Sequence, residues 1–333
     1  MIVAPKSLAG DPTLSIETGP PLVVWETTRL LRIARGGRLM PWLGPALRGL
    51  VGGRLRSHVC VLPVGEQLST RKYCQGCVHM AGCAYGETVE PDPPAGTTIP
   101  PGWESAARPL VVAPAFPLPE FAQPGLTFPV RVVFIGSVAA GHREVFWDVL
   151  RVGGADPLLG LGDDHVLYDV LSPANASDAT VTTEVRLPLG PGAATREAPR
   201  VRVEFSSPLF LNTSGADGDR RRAVEAPTFS DLIRAGLRVL GPLYRCYSWS
   251  LAEDVFGRVK AAAAGVPTVS ARFHPFVQDR HSKRTGDRYA ARGVTGEAVY
   301  GPVPGWLVPW LEWAGRVHVG THRVAGAGGW VVR

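Results

Sequence analysis

Lysine is almost missing from this chain. Of its 35 basic residues only Lys6, Lys72, Lys260 and Lys283 are lysines, so the net charge of +6 is carried by arginine. Beside 39 glycines and 31 prolines, that bias is also what a GC-rich genome produces, and by itself it names no partner. Long apolar runs are absent too: none approaches the ~20 residues that cross a bilayer. The opening stretch "MIVAPKSLAGDPTLSIETG" has neither the apolar segment nor the cleavage site of a secretory signal. The expectation is a cytoplasmic protein with no membrane contact. There is no nucleotide-binding P-loop and no cluster of catalytic carboxylates, which argues against an ATPase and against a two-metal nuclease. Charged residues make up only 19% of the 333, while 45% are hydrophobic, enough for a sizeable core in two domains or one large one.

Charge is concentrated where it is present. Between Ala271 and Arg292, six basic residues (Arg272, Arg280, Lys283, Arg284, Arg288, Arg292) face two acidic ones (Asp279, Asp287), so this window holds +4 of the total +6. A basic stretch of this kind suits an acidic partner such as RNA. Glycine is concentrated at the other extreme, in "RVHVGTHRVAGAGGWVV", where Gly320, Gly326, Gly328 and Gly329 sit among alternating valines. Glycine weakens a strand, so such a run marks a bend or a close backbone approach.

Split near residue 195, within "RLPLGPGAATREAPR", the chain reads as one unit written twice, with domains at 1–195 and 196–333. "PLVVWETTRLLRI" before "MPWLGPALRGLVGGRLRSHV" parallels "RVRVEFSSPLFLN" before "TFSDLIRAGLRVLGPLYRCY". Leu232, Ile233, Leu237 and Leu240 recur at helical spacing, and Val201, Val203 and Phe205 alternate as in a strand. Each half then reads strand, helix, two strands, helix, strand, the ferredoxin-like order. The fold class is α+β: tandem ferredoxin-like, RRM-like domains with a cysteine-rich insertion at about 60–90 and a glycine-rich loop near the C-terminus. "GGADPLLGLG" and "GTHRVAGAGG" occupy the same place in the two copies, and only the second is flanked by histidine and arginine.

With "ALRGLVGGRLRSHVC", "CQGCVHMAGCAYGETVEP" and "VQDRHSKRTGDRYAARGVTGEAVY", this pattern resembles the RAMP-superfamily CRISPR-associated endoribonucleases, family six, over nearly the whole chain. The resemblance implies cleavage of CRISPR repeat RNA into guide RNAs without a metal cofactor, by attack of a ribose 2′-hydroxyl that leaves a cyclic phosphate. It also implies that the loop carrying Gly326 and Gly328 approaches the RNA backbone. Ala325 and Ala327 depart from the larger residues common between such glycines.

The reaction needs proton transfer, for which histidine is suited, and charge stabilisation at phosphate, for which arginine is. His58 ends the first helix with Arg54 and Arg56 nearby, in a region where family members often place a catalytic histidine; capping of the helix C-terminus is the alternative. His281 is the rival, in a basic hairpin with Arg280, Lys283, Arg284, Arg288 and Arg292, where RNA positioning competes with catalysis. Tyr73 could assist. His322 and Arg323, beside the loop glycines, suit phosphate contact. Cys60, Cys74, Cys77 and Cys83 have ligand-like spacing for a structural zinc, against an iron–sulfur cluster or unliganded thiols. Other CRISPR effector subunits are possible partners. The competing readings are an inert RAMP subunit that holds guide RNA, and a protein-binding ferredoxin-like module with a zinc knob.

Overall fold

The computed structural model of the chain describes residues 18–62, 74, 77–94, 97, 106–162, 164–171, 180–191, 200–213, 222–281 and 288–333. The first half runs β1 (Leu22–Arg35), β2 (Gly37–Arg38), α1 (Gly44–Val59), α2 (Ala84–Thr88), β3 (Leu110–Pro114), β4 (Phe121–Ala122), β5 (Thr127–Ile135), α3 (Ser137–Gly141), α4 (Arg143–Ala155), β6 (Leu167–Leu171) and β7 (Val181–Val185). Its main sheet has the order β3-β5-β1-β6, all antiparallel, with β7 added along the start of β1. The second half runs β8 (Val201–Phe205), β9 (Asn212–Thr213), β10 (Arg222–Ala223), α5 (Phe229–Tyr247), α6 (Glu253–Ala264), β11 (Thr268–His281), β12 (Arg288–Tyr300), α7 (Val308–Arg316) and β13 (Trp330–Val332). Its sheet order, β11-β12-β8-β13, repeats the first. In both copies the second of the four principal strands lies at one edge and the fourth at the other, so the sequence's ferredoxin-like reading holds for each.

Side-chain alternation explains how the copies stack. Along β1, β3 and β5, Leu31, Ile33, Val112, Val130, Val132 and Phe134 face α1 and α4, while Leu22, Val24, Val111, Val133 and Ile135 face the second half. A sheet covered on both faces is apolar at successive positions, and "VVFI" in β5 is buried throughout. The second cover is α5 and α7, whose Leu232, Ile233, Leu240, Trp310 and Leu311 share one core with the first sheet and with Val201, Val203 and Tyr300 of the second. Helix α5 begins on a reciprocal capping box, Thr228 with Asp231, which satisfies orphan N–H groups at its start. Its other end is tied to the first half: Tyr244 and Tyr247 donate to the carbonyls of Val185 and Ala107.

Two expectations change. The valines before the loop form no strand: Val317 caps α7, and residues 317–329 are turns and one 3-10 turn up to β13. Helix α6, between the first helix and second strand of the second copy, is an addition to the sixfold pattern.

Candidate nucleic-acid interface

The terminal loop leaves its own domain and wedges into the other. It closes on itself where Val319 N–H donates to Gly328 O, and hangs from the segment after β8 through Thr321 N–H to Phe210 O and Gly328 N–H to Pro208 O. Left-handed backbone recurs along it, at His318 (φ 61°), His322 (φ 66°) and Gly326 (φ 76°) among others. Gly326 lies directly against β3, where a Cβ would overlap Val112 O and approach Ala113 Cα to 2.6 Å. On the facing side a Cβ on Gly44, at the start of α1, would overlap Ala325 O. Backbone meets backbone on both faces of the loop.

Two buried basic side chains fix it there. Arg323, 9% exposed, donates to the carbonyls of Arg108 and Leu110 at the entry of β3. Burial lowers its guanidinium to about 10, so it stays charged at neutral pH. His318 is fully enclosed, and burial, followed by the charge of Arg131, holds its imidazole well below the usual histidine range. Since an arginine only donates, His318 Nε2 accepts from Arg131 Nη2 (2.6 Å) and Nδ1–H donates to Ala327 O (3.1 Å). Arg131 also pairs with Glu26, which reaches Arg316 at the end of α7 (2.7 Å).

An aromatic cluster gathers at the mouth of this wedge. Trp42, just before α1, packs on Phe210 (centroids 5.3 Å) among Ala291, Ala325, Ala327 and Phe276. The outer half of the β11–β12 hairpin projects beyond β8, which pairs with β12 only over Glu297–Tyr300. Buried Gln278 anchors this projection by accepting from Trp42 N–H and donating to Trp42 O, both at 3.1 Å. His322, half-buried, lies 6.1 Å from the Trp42 ring and edge-on to Phe210 at 5.5 Å. Tyr289, 43% exposed, stacks nearly parallel on the His322 ring at 6.1 Å. Trp42, Gln278 and Tyr289 were not singled out in the sequence. Tyr289 alone had a signal, an aromatic set inside the basic window.

The candidates are thereby divided. In the hairpin, Arg280 pairs with Tyr289 and His281 with Arg288 in register, and Arg292 is exposed on the same strand; Lys283 and Arg284 lie outside the described residues. These positions lie on the hairpin whose Tyr289 meets His322. His58 is exposed at the opposite end of α1. Fourteen residues from Gly44 at a helical rise of 1.5 Å separate it from the loop contact by about 21 Å. Arg54 pairs with Asp156, and Arg56 lies over the Tyr85 ring at 5.8 Å. Tyr73 is outside the described residues.

Near His58, Cys60 caps α1, Cys77 N–H donates to Cys74 O, and Cys83 Sγ caps α2. Burial, followed by the carboxylate of Glu90, pushes the Cys74 thiol up to about 11. Among the described residues no three histidine, cysteine or acidic side chains form a metal-holding group, so the geometry lends the zinc expectation no support. No helix among them is long and apolar enough to cross a membrane.

Residues 203–330 match the model of the CRISPR-associated endoribonuclease Cas6, and residues 25–186 match a family model described as an N-terminal domain. Among solved structures, a Cas6 product complex is 18% identical, covering 95% of this chain and 100% of that one at a TM-score of 0.51. Thermus thermophilus Cas6 is 13% identical over 95% of this chain and 99% of its own at 0.46. A Cas6-related protein of Pyrococcus furiosus is 12% identical over 95% and 99% at 0.42. No curated protein matches. The first of these shares the fold from end to end, and with the family match it bears out the resemblance read from the sequence.

Proposed function

For a chain that belongs to the Cas6 family of CRISPR-associated endoribonucleases, we propose that it cuts CRISPR repeat RNA at the mouth of the glycine-loop wedge, between His322 and the β11–β12 hairpin. The observation that carries this reading is the stacking of Tyr289 on His322, near the tip of the hairpin arm that holds most of the chain's excess positive charge.

The chemistry follows from those groups. His322 takes the proton from a ribose 2′-hydroxyl, whose oxygen attacks the adjacent phosphorus as the bond to the 5′-oxygen breaks. That departing oxygen takes up a proton from solvent water, and the products are a 2′,3′-cyclic phosphate and a free 5′-hydroxyl. No metal is needed for any of these steps. Tyr289 and Trp42 keep the His322 ring in one orientation, and Tyr289 offers an exposed face on which a base at the cut site stacks. Arg280, Arg288 and Arg292 bind phosphates along the hairpin, and His281 positions the strand. His58, a helix length away, contacts RNA outside the cut. Effector subunits that take up the guide RNA are the partners such an enzyme serves.

Single-turnover cleavage of repeat RNA in EDTA tests the assignment. His322→Ala is expected to slow the saturated rate by about 10²–10⁴-fold with affinity within a few-fold, the usual worth of a positioned acid or base. His281→Ala weakens affinity more than rate, and a single 2′-deoxynucleotide at the cut site abolishes cleavage. A rate loss in His58→Ala in place of His322→Ala would move the active site to the far end of α1. Repeat RNA bound but never cut by the wild-type protein would leave an inert guide-holding subunit.

A further inference from the structure

Helix α5 carries a second, separate accumulation of positive charge. Arg234, Arg238 and Arg245 stand at i, i+4 and i+11, so all three lie on one helical face. With Lys260 and Phe256 of α6 they line an open groove of about 610 Å³, in which Glu253 is the one acidic lining residue. Seven arginines elsewhere, Arg29, Arg32, Arg54, Arg131, Arg202, Arg258 and Arg316, each meet a carboxylate. Arg234, Arg238 and Lys260 are exposed and have no ion pair among the described residues. Like charges at i, i+4 destabilise a helix, so Arg234 and Arg238 stand side by side at a cost to the fold.

Two further features indicate what the groove receives. Trp249, 75% exposed, follows α5 by two residues and Arg245 by four, an apolar ring in water just past the end of the helix that carries the arginines. That end of α5 also adjoins the glycine loop, because Tyr247 and Arg323 bind the consecutive carbonyls of Ala107 and Arg108. The Arg245 end of the basic face is therefore the end of α5 nearer the glycine loop. Basic groove plus exposed aromatic is the combination that holds single-stranded nucleic acid without reading its sequence: cations follow the phosphates, and a base stacks on the ring.

We propose that the α5–α6 groove is a second RNA-binding track, which holds single-stranded RNA flanking the segment at the cut site, with Arg234, Arg238 and Lys260 on phosphates and Trp249 under a base. The proposal rests on the RNA reading above, and its test is kept independent of cleavage. Binding of an oligouridylate of about 20 nucleotides is followed by anisotropy across a salt series for the wild-type chain, for Arg234→Glu/Arg238→Glu and for Trp249→Ala. All substituted side chains are exposed, and unchanged thermal unfolding verifies that each variant is folded. The double variant is expected to bind at least tenfold more weakly and to lower the log–log salt slope by about 1.4, at ~0.7 for each phosphate that is no longer neutralised. Trp249→Ala is expected to weaken binding about tenfold. Unchanged affinity and slope in the double variant overturn the proposal, as does a weakening confined to a duplex RNA of the same length. If wild-type protein fails to cut repeat RNA while these oligouridylate effects appear, the endoribonuclease reading falls and the groove stands.

Discussion

Arg323 separates two uses of the terminal loop, and Arg323→Met is the perturbation that tells them apart. The sequence places this residue on RNA phosphate, whereas its guanidinium is buried and donates to Arg108 O and, at 3.4 Å, to Leu110 O. A hydrogen bond from a charged donor contributes about 1.5–3 kcal/mol net, and the longer bond less than that, so removing both costs about 2–4 kcal/mol. Methionine fills much of the stem's volume, which leaves the two carbonyls without donors as the main defect. At ~2–4 °C per kcal/mol, the melting temperature should fall by about 4–16 °C. Arg323→Lys, which keeps a charge but not the fork, should fall between. Thermal unfolding by circular dichroism and the salt dependence of repeat-RNA binding are measured on the same preparations. A strut lowers the melting temperature and leaves the salt slope of the folded protein alone. The opposite outcome, an unchanged melting temperature with the slope reduced by the ~0.7 that one neutralised phosphate supplies, would refute the reasoning.

Other consequences of the wedge are measurable on single variants. Gly44→Ala should destabilise by about 1–3 kcal/mol, since overlap with Ala325 O outweighs the ~1 kcal/mol helix preference of alanine. Gly49→Ala and Gly53→Ala in the same helix, where a Cβ meets nothing, should stabilise by ~0.4–1 kcal/mol, and equal effects at all three would refute the close approach of Gly44 to the loop. His318 is held neutral when folded but protonates near pH 6.5 when unfolded, so its contribution is complete above that pH and is lost as pH falls below it. Denaturant midpoints between pH 6.5 and 5 should therefore decline less steeply in His318→Asn, by up to ~1.4 kcal/mol per pH unit, and an identical slope would show that His318 does not titrate on unfolding.

Where sequence signals were local, the fold was readable. The first helix expected over 40–59 begins at Gly44, and that over 228–247 begins one residue on, because apolar spacing and the Thr228–Asp231 box are written within a few residues. The repeated ferredoxin-like order followed from placing such segments in series. The valines of 316–319 misled because alternation reports burial on alternate sides, not extension. Val317 and Val319 are buried in the shared core, while left-handed His318 turns the chain between them. The site was less readable. Gln278 meets Trp42 across 236 positions, and no spacing rule links them.

The two glycine clusters pack differently, and only the second lies at the proposed site. In the first copy the cluster packs on its own domain: a Cβ on Gly160 would overlap the backbone of His165, and one on Gly162 would lie 2.8 Å from Arg38 O. In the second, the same chain position packs across the junction on α1 and β3. Small side chains at Ala325 and Ala327 fit that use, since both are buried beside Trp42. Glycine's cost in chain entropy is then offset by backbone contact between domains that a Cβ would forbid. The contact also brings β12's Tyr289 and the loop's His322 up to a tryptophan of the other domain. Substitutions that separate the domains should therefore remove RNA cleavage and interdomain stability together, whereas Tyr289→Ala, on the exposed face of the cluster, should impair cleavage and leave stability within ~0.5 kcal/mol.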